Sequence, residues 1–436
     1  MLNDKKTIHA WCMYDWANSV YSLTITSAIF PIYFQSVAVS ETGTDMILFF
    51  GIEFINSVLY SYALSASFLL VALVLPLLSG IADYTGQKKN FLRGFMILGS
   101  VSCVGLFFFT GDNIEWGILC SVFASVGYSG SLVFYDAFLS EIVTEDRRDI
   151  VSAKGYSYGY IGGVIMLVAN LVIIEFYDSF GLPGKGIATR LAFLMVGIWW
   201  FGFSQYALAK LPGEKRGALS SRYILNGYKE LQTVWKQLTL LPILKRFLLA
   251  FFFYNMGVQT IMYLAATFGS KELQMADDKL ILTILLIQFL AVAGSYIFAG
   301  LSKRRGNTFS LLTMIVIWIG CCFAAYAVTV EMEFFILAAV VGLVMGGIQS
   351  LSRATYSKII PGDTIDTASF YSFYDVTYNL AIVFGTFIYG FVEQVTGSMR
   401  NSALALASFF IIGMLFLIGV KIRKQDAGLH AAAKST

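Results

Sequence analysis

The sequence predicts an all-α integral membrane protein, with twelve transmembrane helices in two pseudo-symmetric six-helix halves. Three observations carry that prediction. The 436 residues are 57% hydrophobic and 13% charged, with a mean hydropathy of +0.72, which is about half the charge of a soluble domain. The chain divides into apolar stretches of the ~20 residues that a helix rising 1.5 Å per residue needs to cross a bilayer. Short phrases of the first half also return, in order, in the second.

Span 1 covers residues 9–38. Lys5 and Lys6 before it resemble the flank of a signal peptide, but the run is too long and contains Pro31, so it reads as a retained span. Within it, MYDWANSVYS places Asp15, Asn18 and Ser22 at i, i+3 and i+7, one face of an α-helix. A carboxylate turned to acyl chains costs on the order of 3 kcal/mol or more, so this face turns to protein or water. Spans 2 to 6 follow at 57–80, 91–110, 114–139, 153–176 and 188–209. Gly155, Gly159, Gly162 and Gly163 give span 5 a small-residue face suited to close helix packing.

Residues 1–210 thus form the N-terminal half, 211–246 a linker, and 247–436 the C-terminal half with a short tail. The linker's Tyr223, Leu231, Val234 and Leu238, interleaved with Arg222, Lys229 and Lys236, predict a basic amphipathic helix on a membrane surface. A solvated tether is the alternative. Spans 7 to 12 fall at 247–270, 279–301, 308–330, 333–357, 368–394 and 401–421, with Gly342, Gly346 and Gly347 on span 10.

Of the 30 Lys and Arg residues, 25 lie in or beside the tails and even-numbered gaps and 5 on the other side. The positive-inside rule then puts both termini in the cytoplasm. The repeat aligns YDWANSVYS from Tyr14 with YNMGVQTIM from Tyr254, so Asn255 stands where the first copy has Asp15. YDAFLSEIV from Tyr135 aligns with SRATYSKII from Ser352, setting Asp136 against Arg353. The ordered matches predict a duplicated six-span unit.

Cys12, Cys103, Cys120, Cys321 and Cys322 lie singly or as one adjacent pair inside apolar runs, without metal-ligand spacing. The two histidines, His9 and His430, sit near the chain ends. No HExxH, phosphate loop or CxxC pair occurs. The expectation is therefore no enzyme, no metal and no cofactor. The net charge of +3 is spread as membrane topology requires rather than as a nucleic-acid surface.

The loop SGIADYTGQKK, Ser79 to Lys89, resembles the signature of the major facilitator superfamily between its second and third spans. Gly80 permits close helix approach, Asp83 can cap a helix across the bundle, and Gly86 turns the chain. Lys88 and Lys89 would hold the loop at an anionic surface. Ser79 replaces an expected glycine, and Tyr84 and Gln87 replace basic residues, which predicts a reduced charge network around Asp83. YDWANSVY at Tyr14, VFYDAFLSEI at Val133, SAKGYSYGYIGG at Ser152 and GGIQSLSRATYSKIIP at Gly346 together resemble the vacuolar amino-acid effluxer-like branch, related to the fungal autophagy effluxer. That resemblance implies the major facilitator fold and, for the fungal relatives, amino-acid release.

It also implies a central cavity lined by spans 1, 4, 7 and 10. The polar residues of those spans make Asn18, Ser22, Thr26, Tyr128, Tyr135, Asn255, Gln259 and Gln349 candidate substrate contacts. Asp15, Asp136, Arg353 and Asp375 fall toward the cytoplasmic ends and are read as an inner gate or as permanent structural pairs. Asp15 is the candidate for proton coupling, because its counterpart Asn255 is neutral. Tyr156 and Tyr160, and Tyr371, Tyr374 and Tyr378, are read either as rings that grip a substrate or as packing. Trp199 and Trp200 are read as packing or lipid contacts.

The expected function is secondary active transport of small polar or zwitterionic solutes, amino acids by resemblance, by alternating access, as an exporter with proton coupling in view. The alternatives are a transporter-like nutrient sensor and a polyspecific drug or peptide exporter. The expected partners are a small-molecule substrate and membrane lipid, with a monomer in a prokaryotic inner (plasma) membrane.

Overall fold

A computed structural model describes residues 2–39, 46–213, 229, 232–237, 240–361, 364 and 366–420. Span 1 is composite: an α-helix Lys5–Val20, a π-helical stretch Tyr21–Ile29 and a second α-helix Phe30–Val37. The other spans are Asn56–Thr85, Lys88–Leu106, Ile114–Ile142, Arg148–Glu175, Lys185–Lys210, Pro242–Leu273, Asp277–Arg305, Asn307–Ala327, Glu331–Ile359, Thr367–Thr396 and Met399–Ile418. Among the described residues, 11 helices are long and apolar enough to cross a membrane. The twelfth, Lys88–Leu106, opens on Lys88, Lys89, Asn90 and Arg93, which dilute its hydropathy. Leu73, Val101, Phe289, Val316 and Phe387 stand exposed around the bundle, as a lipid-facing surface requires. The chain is a multi-pass membrane protein.

Many helices run past the apolar stretches that predicted them, because their polar ends find partners. Asp4 caps span 1 by accepting from the Thr7 amide at 2.9 Å and the Thr7 hydroxyl at 2.8 Å. Gly86 ends span 2 with φ of +66°, a left-handed cap that favours glycine. The loop expected between spans 1 and 2 contains a hairpin, β1 Met46–Phe49 and β2 Ile52–Ile55, paired antiparallel with Met46 opposite Ile55. Phe50 and Gly51 both have positive φ, the handedness of a two-residue primed turn. The apolar residues on both sides of Gly51 hide that turn from a sequence reading.

The packing follows a repeat. Span 1 packs on spans 5 and 6, span 2 on span 4, and span 3 on spans 4 and 6; spans 7, 8 and 9 do the same with spans 10, 11 and 12. The two sets meet where span 2 packs on span 11 and span 5 on spans 8 and 10. Extra close approaches come from the glycine faces. A Cβ on Gly159 would lie 2.4 Å from the Ser19 hydroxyl, and one on Gly346 would lie 1.9 Å from the Ala291 carbonyl oxygen. All five cysteines are free and buried. Trp200 is fully buried against span 3, whereas Trp199 stacks on Trp16 at 5.4 Å.

Most of the linker named above, including Arg222, Tyr223, Leu231 and Leu238, lies outside the described residues. Residues 232–237 are helical, with Val234 buried and the Trp235 ring 5.4 Å from Phe373.

Candidate functional site

Asn3 bonds to the carbonyl of Ile142 and to Thr144, and Thr308 bonds to the carbonyl of Val420. The described chain ends therefore share one end of the bundle, called here the tail side. Most of the polar chemistry of the interior lies between this side and a central cavity.

The innermost charge cluster centres on Arg353 of span 10, whose side chain is 2% exposed. One terminal nitrogen, Nη1, donates to Asp136 of span 4 at 3.0 Å. Nη2 donates to Asp15 of span 1 at 3.2 Å and to the carbonyl of Ser152 at 3.1 Å, and Nε donates to the Ser152 hydroxyl at 3.0 Å. Four of the guanidinium's five N–H groups are thus engaged. Its faces lie against aromatic rings, 4.1 Å from the Tyr156 centroid and 4.7 Å from that of Trp11. Charge, hydrogen bonds and π-faces together offset the desolvation that makes a buried ion costly. The Tyr135 hydroxyl donates to Asp15 at 2.7 Å, and its ring stacks on Trp11 and Tyr14.

Two further clusters join spans 1–6 to spans 7–12 nearer the tail side. Asp83 accepts from the backbone amides of Ala368 and Ser369 at 3.2 and 2.6 Å, capping span 11 across the bundle. Lys88 lies 3.2 Å from Asp83 and 2.6 Å from Glu141, and it donates to Thr367. The reduced network expected around Asp83 is therefore a full one, supplied by Glu141 and Thr367. Lys88 points into this network, its side chain 12% exposed, rather than out to a surface; Lys89 donates to the Leu211 carbonyl at 3.0 Å. The second cluster joins Asp149 of span 5 to Lys358 of span 10 at 2.7 Å, with Ser302 and Asn307 donating to the same carboxylate. Arg148 donates to the Ser357 carbonyl.

Beyond Arg353, Ser152 donates to the Ser350 carbonyl and Tyr160 to Gln349 at 2.7 Å. There the two sets of spans part around a cavity of about 210 Å³. Asp15, Asp136, Tyr156 and Arg353 line one end of it, and Ser22, Thr26, Tyr128, Gln259, Gln349 and Asp375 line the rest. Along span 1 exposure rises from Asp15, 5% exposed, through half-buried Ser22 to exposed Ser27. The cavity is closed toward the tail side and opens away from it.

Several predicted residues lie elsewhere. Asn18 is buried outside the lining, because Ser19, four residues after Asp15 in the same α-helix, completes the face instead. Tyr135 is fully buried behind Asp15. Asn255 also lies behind the lining, its side-chain oxygen accepting from Gln259 at 3.1 Å. Asp375 is separate from the Arg353 cluster: it lines the cavity and accepts from Asn379 at 2.8 Å. Gly80 is buried near the end of span 2. Tyr374 and Tyr378 line the cavity, whereas Tyr371 packs on Tyr356.

Ser19, Tyr263 and Gln288, which line the cavity, and Ser152, which accepts from Arg353, were passed over by the sequence reading. Ser19, four residues after Asp15, carried a legible signal once the helix phase was known. Asp149 and Lys358 did not, since charges at helix ends ordinarily face solvent.

The sequence profile of the family described as "Vacuole effluxer Atg22 like" matches residues 3–428. An uncharacterized MFS-type transporter, YxiO, of Bacillus subtilis (strain 168) is 31% identical over 94% of this chain and 94% of its own length. Autophagy-related protein 22 of Saccharomyces cerevisiae is 26% identical over 95% of this chain and 90% of its own. Among solved structures, the transporter FucP in the outward conformation superposes with a TM-score of 0.70 at 11% identity, over 95% of this chain and 98% of that one. The human organic anion transporter MFSD10 gives 0.70 at 11%, over 96% and 100%. These two likenesses carry the twelve-helix fold alone. The relatives and structural neighbours are transporters, not enzymes, and the chain belongs to the vacuole effluxer Atg22-like family of the major facilitator superfamily.

Proposed function

We propose that the protein is a secondary transporter that moves small zwitterionic solutes, amino acids foremost, by alternating access. The observation that carries this reading is the Arg353 cluster, which joins span 10 to spans 1 and 4 at the closed end of a cavity between the two sets of spans. When the sets rock apart on the tail side, Arg353 leaves Asp15 and Asp136, and the cavity opens there. When they close, the ion cluster reforms. Alternation between two such packings is how repeat-built transporters work around a fixed site.

Ser22, Thr26, Tyr128, Gln259 and Gln349 are the substrate contacts in this reading, and Asp15, Asp136 and Arg353 are the gate. Asn18, Tyr135 and Asn255 support those side chains from behind. The effluxer name of the family supports export, with both termini and the gate in the cytoplasm and the cargo leaving on the opposite side. The protein acts as a monomer in a prokaryotic inner membrane. A cavity of about 210 Å³ is smaller than the ~300–1,000 Å³ of pockets that take drug-sized ligands, which favours one small solute over a polyspecific exporter.

Proton coupling would run through Asp15, which trades partners between Arg353 and water as the gate opens. The test is uptake and counterflow in proteoliposomes across an amino-acid and dipeptide panel, with and without a pH gradient. Saturable exchange of amino acids is expected, accelerated by the gradient. Absence of flux for every solute, together with a ligand-dependent change of conformation, would replace this reading with a sensor.

A further inference from the structure

The charges that line the cavity are unbalanced. Among the described residues, three carboxylates, Asp15, Asp136 and Asp375, face it with one cation, Arg353. That cation is already spent on two of the carboxylates and on Ser152, with its remaining faces against aromatic rings. Asp375 is 7% exposed, forms no ion pair among the described residues, and accepts there from Asn379. The Asn379 side-chain oxygen is itself buried without a partner, so nothing else in the pair supplies positive charge.

We infer that Asp375 is the site that reads the ammonium group of the solute, and that the described residues lining the cavity leave no free cation as a counterpart for a carboxylate, so the selected class is primary amines. The inference rests on the transport reading for its cargo but concerns recognition alone. A buried carboxylate without a cation is costly unless a ligand brings one. Tyr374 and Tyr378, one residue before and three after Asp375 on span 11, line the same cavity and offer π-faces to that cation. The hydroxyl and amide groups of Ser22, Gln259 and Gln349 can accept or donate to the uncharged remainder. An amino acid would be taken for its amine, with its carboxylate left in the open part of the cavity.

The test uses the purified full chain, with binding by calorimetry and flux in proteoliposomes for L-leucine, L-leucinamide and N-acetyl-L-leucine. Leucinamide keeps the ammonium and loses the carboxylate; N-acetyl-leucine does the reverse. Leucinamide is expected to bind within about 3-fold of leucine, and N-acetyl-leucine at least about 10-fold more weakly. Asp375→Asn, which keeps the size of the side chain and its contact with Asn379, should weaken leucine and leucinamide about 10-fold while leaving the melting temperature unchanged. Asp375→Glu should restore part of that loss.

Leucine binding without leucinamide binding would overturn the assignment, since the carboxylate would then be what is read. Unchanged affinity in Asp375→Asn, or no binding by any of the three, would overturn it as well. The two readings fail separately. The expected binding order with no flux would remove the transport reading and keep this site. Equal flux of leucine and N-acetyl-leucine would keep transport and remove the site.

Discussion

Arg353→Met separates the two readings of the central ion cluster, a gate or a permanent pair. The substitution leaves Asp15, 5% exposed, and Asp136, 9% exposed, without their cation. Removing one partner of a buried ion pair costs about 3–5 kcal/mol. In a gate that cost falls on the tail-side-closed state, because opening carries the carboxylates to water. The closed-to-open ratio should then fall by roughly two to three and a half powers of ten, at about 1.4 kcal/mol per tenfold. Nitroxide labels at Tyr84→Cys and Lys303→Cys, at the exposed tail-side ends of spans 2 and 8, read that opening as a longer distance by pulsed electron resonance. The native cysteines are buried, so labelling falls on the introduced pair. The neutral triple variant Arg353→Met, Asp15→Asn, Asp136→Asn should move back toward the closed distance, because replacing a whole buried ion cluster is often close to neutral. An unchanged distance in folded Arg353→Met would refute the gate. Equal opening in the single and triple variants would refute the charge argument behind it.

Lys88→Met should open the tail side in the same assay but less, by about 1–3 kcal/mol, since Asp83 keeps two backbone amides and Glu141 is already 31% exposed. Gly346→Ala forces spans 8 and 10 apart, because its Cβ would sit 1.9 Å from a backbone oxygen; a loss of about 1–3 kcal/mol should appear as a lower melting temperature. Asp15→Asn should keep counterflow exchange and lose acceleration by a pH gradient; transport with an unchanged pH profile would remove Asp15 from coupling. At the start of span 1, the Thr7 amide and hydroxyl hold the Asp4 carboxyl below its ordinary range. A lowered folded value means the cap contributes above the unfolded value and is lost as pH falls through the folded one, so the protection of the Thr7 amide against exchange, taken relative to its intrinsic rate at each pH, should fall in acid and be low at every pH in Asp4→Ala.

The twelve spans were legible because lipid demands long apolar helices, a constraint that composition and spacing report directly. The pairing of Asp136 with Arg353 was legible for a related reason: two opposite charges at matched depths in apolar helices need each other. Three things were hidden. The lining face of span 1 steps from Asp15 to Ser19, i+4 rather than i+3, so Ser19 and Asn18 exchanged places on the face, and the π-helical stretch that follows, YSLTITSAI, carries no Pro or Gly to mark it. Lys88 looked like a surface anchor because its partners Glu141 and Thr367 are 53 and 279 residues away in the chain. Asp375 fell toward the same end as the gate in sequence, and only the packing of span 11 on spans 2, 4 and 7 sets it apart.

If the proposed gate is correct, the repeat accounts for its being built from unlike residues. Asp136 and Arg353 occupy equivalent positions of the two copies, and those positions meet at 3.0 Å. Around a two-fold axis, a position near the axis meets its own copy. An unmodified duplicate would therefore set Asp against Asp or Arg against Arg, and like charges would hold the tail side open. Unlike residues at this position replace that repulsion by attraction, as the proposed gate requires. The same logic applies to span 1, where Asp15 is a second partner for Arg353 while its counterpart Asn255 accepts from Gln259. Tyr14 touches Tyr135 in one copy, and Tyr254 touches Ser352, the equivalent position, in the other. The scaffold contact is thus present in both copies, and the charge is present as a complementary pair. Reversing both residues, Asp136→Arg with Arg353→Asp, tests this directly. The exchange keeps the pair but sets the new arginine on the Asp15 side of the axis and leaves Ser152 facing a carboxylate. It should close the tail side better than either single reversal and less well than the native pair. A double variant no better than the singles would mean that the packing around Trp11 and Tyr156, not the complementarity of the duplicated position, holds the gate.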